Sequence, residues 1–273
     1  TSSRVENNQT LPQSFRIPCI WGDIFILYQV RAVRTLIISG ASRGIGQAIA
    51  RKALTEGHRL SLGLRDLESV KGSVLDPEVS GKHRVMLHPY CAEQSHEVQS
   101  WVDATINNFG SFDGLICSAG MFSKVPVLFA EGEEIEIERT MKINLMAPWR
   151  LARAAWPQLA QHGSGRIQML VSLSGKESKG KLAAYSVSKF ALLGLCQTMR
   201  NEGWNDGIRV TAICPGWVNT DMANSVLSEP SEFWPTQSIT SEAMTQPEDI
   251  ANISSTLLKL HNRAVPFEIS VNS

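Results

Sequence analysis

From Arg34 onward, short apolar runs alternate with helical patterns, and this alternation constrains the fold more than any other feature of the chain. Strand-like runs lie at Thr35–Ser39, Arg59–Leu64, Arg84–Leu87, Gly114–Cys117, Gly165–Ser172 and Arg209–Cys214, with a short edge candidate at Val265–Val271. Helical patterns fill the gaps at Ile45–Glu56, Glu97–Phe109, Glu133–Ala160, Ala183–Glu202 and Pro247–Leu260. Runs that stay apolar on successive residues belong to strands buried on both faces, which is the condition of a parallel sheet. Parallel neighbours need helical crossovers of right-handed sense. The pattern therefore predicts one α/β domain over residues 34–273, a Rossmann-like doubly wound parallel β-sheet flanked by helices. The acidic stretch from Glu131 to Glu138 reads as a solvated helix start, where the helix dipole favours negative charge. Architecture of this kind does not by itself specify chemistry.

Residues 1–33 differ in character from the rest of the chain. A polar tract from Thr1 to Gln9 precedes Pro12, Pro18 and an aromatic patch around Trp21 and Phe25. This segment is expected to be an extension outside the core, with a short docking helix as the alternative. Lys plus Arg and Asp plus Glu balance at 26 each, so no overall field draws the chain to nucleic acid or an anionic membrane. Cys19, Cys91, Cys117, Cys196 and Cys214 are scattered, odd in number and form no CxxC pair, which points to free thiols and a cytoplasmic setting. His88, Cys91 and His96 match no common metal spacing, and no metal is expected. No apolar run reaches the length of a membrane span.

The first strand runs directly into Ser39-Gly40-Ala41-Ser42-Arg43-Gly44-Ile45-Gly46 and then a helix. Gly40 permits a sharp turn, while Gly44 and Gly46 let backbone approach a pyrophosphate and let the helix lie close to the sheet. Free N–H groups at the helix start, from Ser42 through Ile45, then receive the phosphate charge. A glycine-rich loop alone is weak evidence, and a tight turn without ligand is the plain alternative. Its place between the first strand and the first helix strengthens the dinucleotide reading. The second strand ends in Leu64-Arg65-Asp66. A ribose 2′-hydroxyl calls for a carboxylate there and a 2′-phosphate for a cation, so Arg65 with Arg43 favours NADP(H) over NAD(H). Asp66 pulls the other way.

Tyr185-Ser186-Val187-Ser188-Lys189 places a phenol and an ammonium on one helical face. A tyrosine with a pKa of about 10 is a poor proton donor or acceptor at neutral pH. A cation one turn away is expected to stabilise the phenolate and lower that pKa. Ser172, thirteen residues before Tyr185 at a strand end, is placed to hydrogen-bond a substrate oxygen. Taken singly, this Tyr/Lys spacing is common and reads as a half-buried Tyr beside a solvated Lys. Joined to the glycine loop and Ser172, it points to proton transfer coupled to hydride transfer.

With these landmarks in order, the chain from Arg34 to its end resembles the short-chain dehydrogenase/reductase family. The resemblance implies that Ser172 positions a carbonyl, that Tyr185 is the acid/base, and that Lys189 binds the nicotinamide ribose and tunes the Tyr. It implies that Asn144, in Lys142-Ile143-Asn144-Leu145, holds a relay water. It gives Pro215, Gly216, Val218 and Thr220, in the turn after the sixth strand, to the nicotinamide and phosphates, and it implies a homodimer or homotetramer through two long helices. Three departures stand out. Cys117-Ser118-Ala119-Gly120 replaces Asn-Asn-Ala-Gly, although Ala119 and Gly120 still allow close approach to a cofactor. Cys91 stands where an adenine-contacting Asp is usual, and the end at Val271-Asn272-Ser273 lacks the usual Gly-rich tail.

The stretch Asp221–Gln246, with Met222, Leu227, Phe233 and Trp234, reads as a lid. With Met121, Phe122 and Trp217 it predicts a largely apolar pocket for a small carbonyl or alcohol substrate. The function expected is NADPH-dependent reduction of a ketone, aldehyde or 3-oxoacyl group. A non-catalytic dinucleotide-binding redox sensor on the same fold is the alternative from another class.

Overall fold

The computed structural model describes residues 33–178, 180–228 and 240–271. Residues 1–32 of the expected N-terminal extension, residues 229–239 of the expected lid with Phe233 and Trp234, and the last two residues lie outside the described residues. Seven strands form one sheet: β1 Thr35–Ser39, β2 Arg59–Leu64, β3 Val85–Pro89, β4 Gly114–Cys117, β5 Arg166–Leu170, β6 Arg209–Pro215 and β7 Glu268–Val271. Every pairing is parallel, and the order is β3-β2-β1-β4-β5-β6-β7. The chain winds outward from β1 to β3 and then returns to place β4 on the other side of β1. That reversal opens a crevice at the carboxyl ends of β1 and β4, where open α/β sheets bind ligands.

Eight α-helices cover the sheet: α1 Gly44–Thr55, α2 Pro77–Ser80, α3 Glu97–Phe109, α4 Glu134–Met141, α5 Ala147–His162, α6 Ala183–Glu202, α7 Asp221–Leu227 and α8 Pro247–Lys259, counted among the described residues. Alternate residues of a strand face opposite sides, so each central strand feeds two cores. Ile37, Leu115, Ile167 and Val210 pack with Val98 and Trp101 of α3, Leu151 of α5 and Leu195 of α6. Leu36, Ile38, Leu60 and Ile213 pack with Ile49 of α1 and Ile250 and Leu257 of α8. Trp101 is fully buried, and its indole donates to Ser61 Oγ at 2.8 Å. Gly63 makes room for that ring, since a Cβ there would collide with it.

The expected continuous helix over Glu133–Ala160 is instead broken. A π-helical turn at Lys142–Met146 separates α4 from α5. Such a turn carries one extra residue, and the side chain of Asn144 is bound on three sides within it. Pro148, near the start of α5, lacks a backbone donor for a regular ladder. The strand expected to reach Ser172 stops at Leu170, because Ser172 turns away to cap a 3-10 turn at Leu173–Gly175 by accepting from Ser174 N at 3.1 Å. At the amino edge of the sheet, Arg34 pairs with Asp113 at 2.5 Å, both side chains buried. No helix among the described residues is long and apolar enough to cross a membrane.

Candidate cofactor and catalytic site

The glycine loop is shaped by what would collide with it. Gly40 has φ +75, and a Cβ there would lie 2.6 Å from Ala119 N. A Cβ on Gly46 would run into Gly40 O, so only glycine lets α1 start this close to the end of β1. The residue before α1, Arg43, is extended and provides no side-chain cap, and the first turn carries no acidic residue. The leading N–H groups of α1 thus keep their capacity for an outside acceptor, as a diphosphate requires. Gly44 faces Thr220, whose methyl lies 3.2 Å from where a Cβ would stand, so the turn after β6 closes over the loop. These features fit a bound dinucleotide.

Tyr185 and Lys189 lie one turn apart on α6. Lys189 is 6% exposed, and its Nζ donates to Leu170 O at 3.0 Å. Burial pulls its ammonium down to about 8. Phe122 packs on the Tyr185 ring at 4.7 Å between centroids. Burial pushes the phenol above its ordinary pKa, and the neighbouring Ser172 hydroxyl opposes that shift. The lowering expected from the nearby cation is not found: burial and Ser172 are the causes at the phenol. The Lys189 Nζ stands 5.7 Å from the ring centroid, too far to offset the loss of water around the phenol.

Asn144 is 1% exposed. Its Oδ1 accepts from Met121 N at 2.9 Å, and its Nδ2 donates to Met121 O at 2.9 Å and Ser188 Oγ at 3.0 Å. A side chain on Gly120 would come within 3.4 Å of Asn144 Oδ1 and 3.7 Å of Lys189 Nζ, so this glycine keeps open the gap between them.

One cavity of about 1230 Å³ runs along the carboxyl edge of the sheet. That exceeds the roughly 300–1,000 Å³ of a common small-ligand pocket and suits a dinucleotide with a second molecule. Gly40, Ser42, Arg43, Gly44, Ile45, Gly46, Arg65, Ala119 and Gly120 line it, as do Ser172, Tyr185, Lys189, Pro215, Gly216, Val218 and Thr220. Asn144 lies behind the wall, bound to the Met121 backbone. Asp66 faces away: its carboxylate accepts from Glu68 N at 3.0 Å and caps a 3-10 turn. Arg43 stands 3.9 Å from Asp221, with both side chains largely exposed.

Sequence reasoning did not single out Glu93 and Arg139, which line the same cavity and pair at 3.0 Å. Forty-six residues separate them, and no local pattern announces such a pair. His88 bonds Pro89 O through Nδ1 at 2.7 Å and stacks on Trp101. Among the described residues no group of three or more potential ligands gathers for a metal.

The family model for short chain dehydrogenases matches residues 34–231. The chain belongs to the short-chain dehydrogenase family. Membership places it among oxidoreductases with this seven-stranded Rossmann-like fold. Agropine synthesis reductase of Rhizobium rhizogenes is 37% identical over 232 residues, 84% of this chain and 50% of that protein, so the chain spans about half the length of this relative. A β-ketoacyl-[ACP] reductase of Bacteroides thetaiotaomicron superposes with a TM-score of 0.71 at 29% identity, covering 88% of this chain and 97% of the other. An actinorhodin polyketide ketoreductase solved with NADPH gives 0.75 at 26%, covering 88% and 95%.

Proposed function

We propose that this short-chain dehydrogenase reduces a carbonyl, as a ketone, aldehyde or 3-oxoacyl group, with NADPH. The observation that carries the reading is the meeting of Ser172, Tyr185 and Lys189 at one end of a cavity whose middle is a phosphate cradle. The bound nicotinamide supplies the hydride. Ser172 holds the substrate oxygen beside the phenol, and Tyr185 gives its proton to that oxygen as negative charge builds there. A phenol raised by burial keeps its proton until such a base arrives, which suits reduction. Lys189, still largely protonated at neutral pH with its ammonium at about 8, stabilises the phenolate left behind and binds the cofactor ribose. Asn144 and Lys189 hold a relay water across the gap that Gly120 leaves open.

Preference for NADP(H) is supported by Arg65, which lines the cavity while Asp66 is engaged elsewhere. Gly44, Ile45, Gly46, Ala119, Pro215, Gly216, Val218 and Thr220 complete the cofactor bed. Met222 and Val226 of α7, with Trp217, line the cavity on the side of the described part of the expected lid. Self-association is part of the proposal, supported by Trp149 on α5 and Phe190 on α6, each nearly half exposed. A cytoplasmic setting is supported by the free thiols of Cys91, Cys117, Cys196 and Cys214.

The test follows NADPH and NADH oxidation against a panel of ketones, aldehydes and 3-oxoacyl thioesters, with Tyr185→Phe run in parallel and nucleotide binding measured separately. The expected result is turnover preferring NADPH, reduced by about 10²–10⁴ in Tyr185→Phe with binding retained. Equal turnover in the variant would sink the mechanism. Binding without turnover on any carbonyl would favour the redox-sensor reading instead.

A further inference from the structure

The substrate end of the cavity, expected from sequence to be largely apolar, has a polar stretch of wall. Phe122, Trp217 and Met222 line the cavity, but so do Lys176 and Ser270. Lys176 directly follows the 3-10 turn that Ser172 caps. Ser270 is the register partner of Cys214 on β6, and the next pair, Pro215 with Val271, opens the turn proposed for the nicotinamide. Since β5, β6 and β7 are neighbours, the end of β5 and Ser270 stand two strand spacings apart, roughly 10 Å. The Cys214 thiol between them is pushed up to about 11, first by burial and then by Glu268, while the Ser172 N–H, Lys176 and Lys189 oppose the shift. One buried atom thus feels the catalytic residues and the polar wall together. Lys176 Nζ donates to Glu268 Oε1 at 2.5 Å and to Ser270 Oγ at 2.8 Å. An ammonium has three donors, and the third has no partner among the described residues. The bond to Glu268 raises the ammonium above its ordinary pKa, so it donates throughout the neutral range. With side chains 37% and 25% exposed, the two charges are only partly screened by solvent.

We infer that Lys176 binds a second oxygen of the substrate, a neutral hydroxyl set several bonds away from the carbonyl that Ser172 holds. This rests on the carbonyl-reductase reading above and narrows its substrate class to hydroxylated ketones and aldehydes. The spare N–H calls for an acceptor, and the span from the end of β5 to Ser270 sets that acceptor apart from the reacting carbonyl. A purely apolar substrate would shut the Lys176 donor away from water without a partner. Glu268 decides the charge of the group. Its carboxylate already balances the ammonium, so a substrate carboxylate would stand beside Glu268 with no positive charge left to match it. A hydroxyl accepts from Lys176, brings no charge, and can donate in turn to Ser270 Oγ.

The experiment measures kcat/KM with NADPH for three methyl ketones of one chain length, ending in a methyl, a hydroxyl or a carboxylate. The parent should prefer the hydroxyl form over the methyl form by about tenfold, the lower range for a hydrogen bond to a charged group, as partial exposure requires. The carboxylate form should be the poorest of the three. In Lys176→Met the ratio of hydroxyl to methyl form should fall to within about twofold of unity, since the donor is gone. In Glu268→Gln the uncovered ammonium should make the carboxylate form the best substrate. A merely structural role for the pair would lower all three alike and leave the ratios where they were. Melting curves check that both variants fold, and an NADPH titration runs beside each. Parent ratios near unity, or ratios that neither variant moves, overturn the inference. So does a loss of NADPH affinity in Lys176→Met with the substrate ratio kept, which would put the ammonium on the cofactor. No turnover of any ketone by a parent that binds NADPH overturns the carbonyl-reductase reading itself, a distinct outcome.

Discussion

On the proposed mechanism, Lys189 is a stability cost accepted for chemistry. The unfolded chain keeps this proton up to the ordinary lysine value of 10.5, whereas the folded chain keeps it only up to about 8. Between those limits the unfolded state binds more protons, so stability rises with pH across that window. Below about 8 the full penalty stands, about 3 kcal/mol for a shift of this size. Lys189→Met should therefore be more stable than the parent at about pH 7, and inactive. The gain falls short of the whole penalty, because Leu170 O loses its donor. Urea unfolding at about pH 7 and about pH 9 should show the advantage shrinking as pH rises. An advantage independent of pH would contradict the burial argument. The tyrosine carries the converse lesson: its Lys neighbour was legible four residues away in sequence, but the burial that governs its pKa is set by Phe122 and the strand ends, which no local pattern displays.

At the scale of elements, the junction of β1 and α1 is the most exacting. Gly46→Ala would drive a methyl against Gly40 O, and backbone on both sides leaves nothing flexible to yield. A cost on the order of 3 kcal/mol results, with nucleotide binding weakened as α1 shifts. Denaturant midpoints and nucleotide titration check both, and a variant as stable and tight-binding as the parent would refute the packing claim. This junction was readable in sequence, because turn glycines between a strand and a helix leave few alternatives. β1, β2 and β4 match their expected bounds for the same reason: short, mainly apolar runs with clear stops. The π turn at Lys142–Met146 was not readable. Its cause is the set of bonds from Asn144 to Met121 and Ser188, on segments 23 and 44 residues away. Asn144 was found only by family resemblance. The short α2 was also missed, although Asp76 caps it and Pro77 opens it, because one turn leaves no periodicity to detect.

Across the whole molecule the two edges of the sheet are divided between stability and chemistry. The carboxyl edge holds the cavity. The amino edge holds polar side chains at strand starts, with Arg34 bonded to Asp113, Leu258 O and Ser164 O, and Arg166 bonded to Asn262 and Leu260 O. Asp113→Ala would leave the Arg34 cation buried and unpaired, a loss of about 3–5 kcal/mol that lowers the melting temperature by about 10 °C. NADPH affinity should stay within about twofold of the parent, since the substitution lies across the sheet from the cradle. A large loss of affinity at full stability would break that division of labour. The central claim is that the chain moves a hydride while Tyr185 supplies the proton. It is tested most directly with NADPH deuterated at the transferring position of the nicotinamide, given to the best carbonyl of the panel, with the product alcohol examined by mass spectrometry. The account predicts deuterium on the former carbonyl carbon, formed by the parent and about 10²–10⁴ more slowly by Tyr185→Phe. Product without the label, or labelled product formed at the same rate by both, would contradict it.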